Sequence, residues 1–388
     1  MSWLRIEEEL RSINERGLLR EFRYLESAQM PRVKIRGKEV LLLSSNNYLG
    51  LCNDERLKIA AKEAIDHYGV GSGGSRLTTG SYNLHRKLEQ AIADFKKTEA
   101  AIVFNAGYMA NVGVISAIAG KDWVIFSDSL NHASIIDGCR LSGAKTVVYR
   151  HADPEDLEKN ILKHQSMPGL VVTDGVFSMD GDIAPVPELA VVAHRFGKLL
   201  MVDDAHATGV LGYQGGGTSE YYGLQGVVDI SMGTLSKALA GEGGFAGRKV
   251  LIDYLKNRAR SLIFSTAMSP PMAAVSLRAI EIMRQNAPAR ETLMENARWF
   301  RQALRQVGFQ VPEGITPIIP VVVGDALKTL QFSLKLLEEG IQISAVRPPV
   351  VAVGTSRLRI TLMATHTRGD LDFALEKITS VGHSLGIV

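Results

Sequence analysis

Two short stretches of this 388-residue chain carry residue types that do chemistry when set side by side. The first is Asp203-Asp204-Ala205-His206, which closes an apolar run at 199–202. Open α/β sheets bind their ligands at the carboxyl ends of strands, which is where these acids fall. Two acids followed by a histidine suit three tasks: holding a metal, forming the acidic box of a helicase, or anchoring a cationic cofactor. A metal site needs further ligands that the sequence does not point out. A helicase needs a phosphate loop, and Gly-x-x-x-x-Gly-Lys-Ser/Thr occurs nowhere in the chain. The second stretch, Gly233-Thr234-Leu235-Ser236-Lys237, follows the apolar run 227–232 and precedes Gly241-Glu242-Gly243-Gly244. A lysine hemmed in by small residues just past a buried strand can form a Schiff base, provided desolvation or a nearby charge keeps its amine nucleophilic.

Taken together, the two stretches meet the needs of pyridoxal phosphate. An acid beside the pyridinium nitrogen keeps the ring an electron sink, and the lysine holds the aldehyde carbon. The phosphate needs backbone N–H groups at a helix start. Asn105-Ala106-Gly107-Tyr108, ahead of a helical pattern at 110–119, offers them, and Thr234 adds a hydroxyl. A competing nucleotide signal is weaker than it looks. Gly69-Val70-Gly71-Ser72-Gly73-Gly74 matches Gly-x-Gly-x-x-Gly, but that fingerprint needs a strand before it and a helix after it. Here 54–68 reads as a helix and 75–80 as a loop, which leaves a flexible loop near a ligand as the alternative.

These residues need a scaffold, and the hydrophobic pattern describes one. Strands are expected at 101–104, 123–126, 146–149, 170–173, 199–202 and 227–232, alternating with helices at 84–97, 110–119, 133–141 and 187–196. That alternation indicates an α/β domain with a mostly parallel sheet. The strands lack period-2 alternation, as expected when both faces are covered. Beyond residue 270 the pattern changes to helices at 270–285 and 290–307, separated by a breaker at Pro288, then strands at 318–323, 341–345 and 358–361 among helices at 326–338 and 370–384. The expected division is an N-terminal helix and segment (1–42), a large cofactor-binding α/β domain (43–280) and a small α+β domain (281–388).

Composition narrows the class. Hydrophobic residues make up 46% and charged residues 22%, which excludes general disorder. The net charge is only +3, with no long block of one sign, so a nucleic-acid partner is not expected. Cys52 and Cys139 show no metal-type spacing and are expected to be free thiols. Glu7-Glu8-Glu9 interrupts any secretory apolar core, and no apolar run reaches 18 residues, so a cytoplasmic protein without a membrane anchor is expected. Trp3, Ile6, Leu10 and Ile13 fall on one helical face, suiting a helix that docks on something. Glycine numbers 37, against a usual share of roughly 7%, and the surplus gathers around the stretches above.

Six motifs in order give the chain a family resemblance. Ser44-Ser45-Asn46-Asn47-Tyr48-Leu49-Gly50-Leu51, the segments 128–132, 174–181 and 203–209, Thr234–Lys237 and 357–361 resemble those of the α-oxoamine synthases, which are fold-type I pyridoxal-phosphate enzymes. The resemblance covers nearly the whole chain. It implies a large domain with a mostly parallel sheet sandwiched by helices plus a smaller α+β C-terminal domain. Members condense an amino acid with an acyl thioester and release carbon dioxide. Ser75-Arg76-Leu77-Thr78-Thr79-Gly80, followed by Leu84-His85, resembles the branch that joins L-alanine to a pimeloyl thioester in biotin synthesis. The Cys-Gly-Thr typical of the glycine acetyltransferase branch and the Ile-Ser-Gly-Thr of the aminolaevulinate branch are both missing from that place.

The resemblance also implies roles. Lys237 carries the cofactor covalently, is displaced by the amine of alanine and then takes the Cα proton. Asp203 pairs with the ring nitrogen, His206 bonds the ring hydroxyl, His132 stacks on the ring and Ser178 contacts its oxygen. Gly107, Tyr108 and Thr234 surround the phosphate, and Thr266 comes from the partner of a homodimer with shared active sites. Arg359 grips the amino acid's carboxylate with help from Asn46, while Arg20 and Ser75 serve the acyl end. An aminotransferase or lyase would share Asp203 and Lys237, whereas a non-catalytic binding protein would leave Lys237 idle.

Overall fold

The protein is described from a computed structural model covering residues 2–388. In chain order the strands are β1 (Arg32–Ile35), β2 (Lys38–Leu42), β3 (Ala101–Phe104), β4 (Val124–Asp128), β5 (Lys145–Tyr149), β6 (Gly169–Asp174), β7 (Leu199–Asp203), β8 (Ile230–Thr234) and β9 (Gly244–Gly247). β10 (Ile318–Gly324), β11 (Ile341–Gln342), β12 (Ser344–Val346) and β13 (Ser356–Thr361) complete the set. By packing, the chain sorts into two compact units. One comprises residues 51–178 and 182–290, the other residues 2–50, 179–181 and 291–388.

The larger unit is built on a seven-stranded sheet in the order β3-β9-β8-β7-β6-β4-β5. All neighbours run parallel except β9, which is antiparallel to both β3 and β8. Alternate residues of the same strands feed two separate cores. Ile125, Leu170, Val172, Met201 and Ile230 enter one, with Val114 and Ile115, Ile135 and Cys139, and Leu251 and Leu255 from helices on that face. Val124, Phe126, Val171, Leu200 and Val202 enter the other, with Leu157 and Ile161, and Leu189 and Ala193. A sheet buried on both faces explains why its strands read as continuous apolar runs. The outer strand β5 keeps Lys145 and Thr146 exposed, as an edge does.

The structure moves several expected boundaries. The run 227–232 becomes a strand only from Ile230, because the Asp229 carboxylate instead accepts the Leu200 amide at 2.9 Å. Pro288 does not separate two helices by breaking one. It lies in the first turn of the helix Ala287–Val307, where a missing N–H costs nothing. The run 341–345 divides into β11 and β12, which join different sheets.

The smaller unit holds two three-stranded sheets, β1-β2-β11 and β10-β13-β12. β1 and β2 form a hairpin whose turn residues Arg36 and Gly37 both have positive φ, the handedness that matches strand twist. Helix Arg368–Ser384 begins with a capping box of Thr367 and Asp370, and Arg32 reaches the same Asp370 at 3.0 Å. Buried His366 accepts the Met363 amide at Nδ1 (2.9 Å) and donates from Nε2 to the Leu42 carbonyl (3.1 Å). That geometry requires a neutral ring, and burial pushes its pKa down to about 4.

Candidate active site

The carboxyl ends of parallel strands gather most of the predicted residues. Asp203 ends β7 opposite Asp174, the last residue of β6. Asp203 Oδ1 accepts the Ala205 amide at 2.8 Å, and Oδ2 accepts Asn111 Nδ2 at 2.7 Å. The same Asn111 nitrogen reaches Ser134 Oγ at 2.9 Å, so two helices orient the carboxylate. Asp174 accepts the His132 amide at 2.8 Å. Burial first, and the charge of Asp203 second, raise the Asp174 pKa well above the usual carboxylate range.

His132 caps helix Ala133–Ser142, with the Ser134 amide donating to its Nδ1 at 3.2 Å. A ring nitrogen that accepts from an amide carries no proton, so the hydrogen sits on Nε2. Burial lowers the pKa of His132 and Lys237 lowers it further, while Asp203 pulls it up, which places all three groups in one electrostatic neighbourhood. Lys237 follows β8, and its Nζ lies 2.9 Å from His206 Nε2. His206 itself sits on a turn made by the Ala207 and Thr208 amides bonding to the Asp204 carbonyl.

Asp204, the second acid of the sequence motif, points elsewhere. It meets Lys96 Nζ at 2.8 Å in a pair buried to 2% and 1% side-chain exposure, and it accepts Thr218 Oγ1 at 2.6 Å. Lys96 also donates to the Gly216 carbonyl at 2.7 Å. Glycine is required beside this pair. A Cβ on Gly217, whose φ is +92°, would come within 2.2 Å of Asp204 Oδ2.

The phosphate candidates surround the start of helix Gly107–Ile118. Its N-cap, Ala106, offers no side-chain acceptor to the first-turn amides. A Cβ on Gly107 would stand 3.3 Å from Thr234 Oγ1, and one on Gly244 would stand 2.6 Å from the Gly107 Cα, so the close approach of β9 to the helix start depends on glycine. Thr234 Oγ1 donates to the Gly243 carbonyl at 2.6 Å and accepts from Ser236 Oγ at 2.8 Å. Tyr108 is exposed, with its hydroxyl bonded to Asp137. Ser178 lies on an excursion from β6 that closes through a Val176–Ile183 bridge.

Thr266 is exposed and bridges to Ser75. The loop carrying Ser75 is firmly tied rather than loose. Arg76 pairs with Glu89 at 2.8 Å, Ser72 Oγ donates to the Met268 carbonyl at 2.5 Å, and the Ala267 amide bonds to the Gly74 carbonyl at 2.9 Å.

The three remaining candidates belong to the smaller unit. Arg359, buried on β13, donates from Nη2 to Asn46 Oδ1 at 3.2 Å, and the Tyr48 hydroxyl reaches the same oxygen at 3.4 Å. Burial pushes the Tyr48 pKa up to about 12. Arg357, one strand period away, is taken up by Asp180. Arg20 and Arg359 line one cavity of about 1060 Å³, together with Arg23, Arg36 and Arg347. Burial and the charge of Arg20 lower the Arg347 pKa, while burial and the charge of Arg36 lower that of Arg23. A cavity that crowds guanidinium groups in this way suits an anionic ligand.

Sequence reasoning missed Asn111, Lys96 and the pairing of Asp174 with Asp203. Only the last left a trace, as the first residue of the 174–181 motif.

Comparison with known proteins shows the family. The family model for aminotransferases of class I and II matches residues 38–378. A putative 8-amino-7-oxononanoate synthase of Acetivibrio thermocellus is 55% identical over 380 residues, covering 98% of both chains. The 8-amino-7-oxononanoate synthase of Lysinibacillus sphaericus is 52% identical over 386 residues, covering 99% of each. Among solved structures, the serine palmitoyltransferase of S. paucimobilis with a bound PLP–myriocin aldimine superposes with a TM-score of 0.94 at 34% identity, covering 99% of this chain and 98% of that one. Both the shared sheet and the near-full-length identity lead to one conclusion: the chain belongs to the class I and II aminotransferase family, within the α-oxoamine synthase group that includes the 8-amino-7-oxononanoate synthases.

Proposed function

We propose that this protein is a pyridoxal-phosphate-dependent acyltransferase that joins L-alanine to a pimeloyl thioester, giving 8-amino-7-oxononanoate, carbon dioxide and a free thiol in biotin biosynthesis. The observation that carries the reading is the set of a lysine amine, two imidazoles and a buried acid pair at the carboxyl edge of one parallel sheet. Identity of 46–55% to synthases of this name favours it over the glycine-using branch.

The residues suit that cofactor chemically. Lys237 supplies an amine for its aldehyde, and Asp203, oriented by Asn111 and the Ala205 amide, supplies a carboxylate for its ring nitrogen. The first-turn amides at Gly107 and Tyr108 suit its phosphate, reached across a surface that glycine keeps bare and flanked by Thr234. His132 and His206 would face the ring and its hydroxyl, with Ser178 beside them. When bound, the cofactor supplies a sink for the electron pair left at the alanine Cα.

The chain's own residues do the rest. Lys237 Nζ, close to His206, takes the Cα proton as general base. Arg359, steadied by Asn46, holds the alanine carboxylate through its planar fork. Holding that group also sets which bond at Cα is presented for cleavage. In the net reaction a carbon–carbon bond forms between Cα and the thioester carbonyl, the carbon–sulfur bond breaks, and the original carboxylate leaves as carbon dioxide. Arg20 and Ser75 would serve the acyl substrate.

The assembly we propose is a homodimer in a cytoplasmic setting, with Thr266 completing the partner's site. Its support is the outward apolar face of helix Ser2–Glu15, where Trp3 is 76%, Ile6 48% and Leu10 49% exposed, and the exposure of Thr266 itself. Among the described residues no helix is long and apolar enough to cross a membrane. One assay tests the reading: alanine, glycine and serine crossed with pimeloyl, acetyl, succinyl and palmitoyl thioesters. Carbon dioxide and thiol released fastest from alanine with the pimeloyl thioester support it. A colourless protein with no borohydride-trapped adduct on Lys237 would sink it.

A further inference from the structure

One charged cluster in the larger unit has no part in the chemistry above. His151, just past β5, bonds through Nδ1 to Asp128 Oδ1 at 3.0 Å and through Nε2 to Asp182 Oδ2 at 2.8 Å. Its ring stands edge-on to Phe177, with centroids 4.4 Å apart. Two carboxylates accepting from both ring nitrogens require an imidazolium. Burial opposes that charge, but the hydrogen bonds to Asp128 and Asp182 outweigh it and push the pKa up to about 10.

Each acid belongs to a turn, Asp128 holding its own through the carboxylate and Asp182 closing its own through the backbone carbonyl. Asp128 ends β4 with a fully buried side chain; its Oδ1 also accepts the Leu130 amide at 2.8 Å, and its Oδ2 accepts the Ala152 amide at 2.8 Å. The first of these contacts shapes the turn 129–132 that ends at His132. The second holds Ala152 at φ +49°, a left-handed conformation that alanine rarely adopts. Asp182 sits on the excursion from β6, where its carbonyl accepts the Phe177 amide at 3.0 Å, directly before Ser178.

We propose that His151 is a positioning residue of the active site, clamping the turn that presents His132 to the loop that presents Ser178. The proposal rests on the functional reading above for what those two residues do, although the clamp itself is independent of it. This imidazolium joins two acids that each set a backbone turn ending at a predicted cofactor contact.

The test uses the full chain as wild type, His151→Gln, Asp182→Asn and the double variant. Amide hydrogen exchange of the protein without cofactor is followed at 129–132 and 176–183. The expected result is at least tenfold faster exchange in both segments of His151→Gln, with the rest of the sheet unchanged. After loading with pyridoxal phosphate, the visible circular dichroism of the bound cofactor should fall at least twofold. kcat/KM for alanine should drop at least tenfold, while borohydride still traps the cofactor on Lys237. The double variant should lose no more than the worse single, because both changes open the same clamp. Unchanged exchange in both segments, or an unchanged cofactor signal with normal turnover, would overturn the proposal. If His151→Gln does not fold, Asp182→Asn leaves the His151–Asp128 half in place, and normal exchange and dichroism in that variant overturn it equally. A wild type that takes up no pyridoxal phosphate refutes the functional reading and with it the positioning role, and the exchange data then show whether the clamp holds the turns.

Discussion

Replacing Lys96 by methionine removes one charge and keeps most of the packing, because methionine follows nearly the same unbranched path. What remains is a carboxylate, Asp204, whose side chain is 1% exposed and which has lost its cation at 2.8 Å. The hydroxyl of Thr218 at 2.6 Å is too little compensation for a buried charge, and the Gly216 carbonyl loses its 2.7 Å donor as well. Breaking a buried pair from one side costs about 3–5 kcal/mol. A unit of this size loses roughly 2–4 °C of melting temperature per kcal/mol, so a fall on the order of 10 °C is expected. Replacing Asp204 by asparagine in the same protein removes the stranded charge while keeping an acceptor for Thr218, and should restore at least half of the loss. Melts followed by far-ultraviolet circular dichroism on wild type, Lys96→Met and Lys96→Met/Asp204→Asn decide the matter. A single variant melting within 2 °C of wild type, or a double variant no better than the single, would refute the reasoning.

Lys237→Ala should melt within 2 °C of wild type while turnover falls at least a thousandfold, about what a lost general base costs; a rate within tenfold of normal denies the lysine its role. Arg359→Lys keeps the charge but loses the fork, so the KM for alanine should rise about tenfold with an unchanged melt, and an unchanged KM would move the carboxylate grip elsewhere. His366 has a folded pKa depressed to about 4, so it favours the native state above pH 6.5. That contribution drains away as pH falls from 6.5 to 4, by about 3 kcal/mol. His366→Gln, which can still accept from Met363 and donate to Leu42, should flatten that stretch of the stability–pH curve, and equal slopes in both proteins would show that another group is responsible.

The parts of this fold that could be read ahead of the structure are those where one physical cause acts along a short stretch. Strands β3, β4, β6 and β7 are continuous apolar runs because both faces are covered, and the acid that ends one of them, Asp203, stands out against its run. β9 is Gly244-Phe245-Ala246-Gly247; its glycines serve the approach to Gly107, and glycine gives a strand no propensity to betray it. The β1–β2 hairpin turns at Arg36-Gly37, which lacks the asparagine or aspartate that normally marks such a turn. Asn111 and Asp203 meet across 92 positions and Lys96 and Asp204 across 108, through contacts that exist only once the sheet has set its register. No local pattern encodes such meetings. His151 was likewise invisible, since one histidine in a loop carries no signal until its two acids are in place.

The smaller unit draws on both ends of the chain, and that affects how the protein is made. β2 leaves the ribosome long before its parallel neighbour β11, which begins at Ile341. The carbonyl of Leu42 likewise waits for His366. At roughly 5–20 residues per second, β2 spends about 15–60 s without its neighbour. During that wait residues 51–290 have already supplied every strand of the seven-stranded sheet. A nascent chain stalled near residue 300 would therefore carry a finished sheet and an orphaned hairpin with apolar Val33, Ile35, Val40 and Leu42 uncovered. Such a fragment is a ready client for chaperones, and a late frameshift in the gene should yield aggregates rather than a smaller working enzyme.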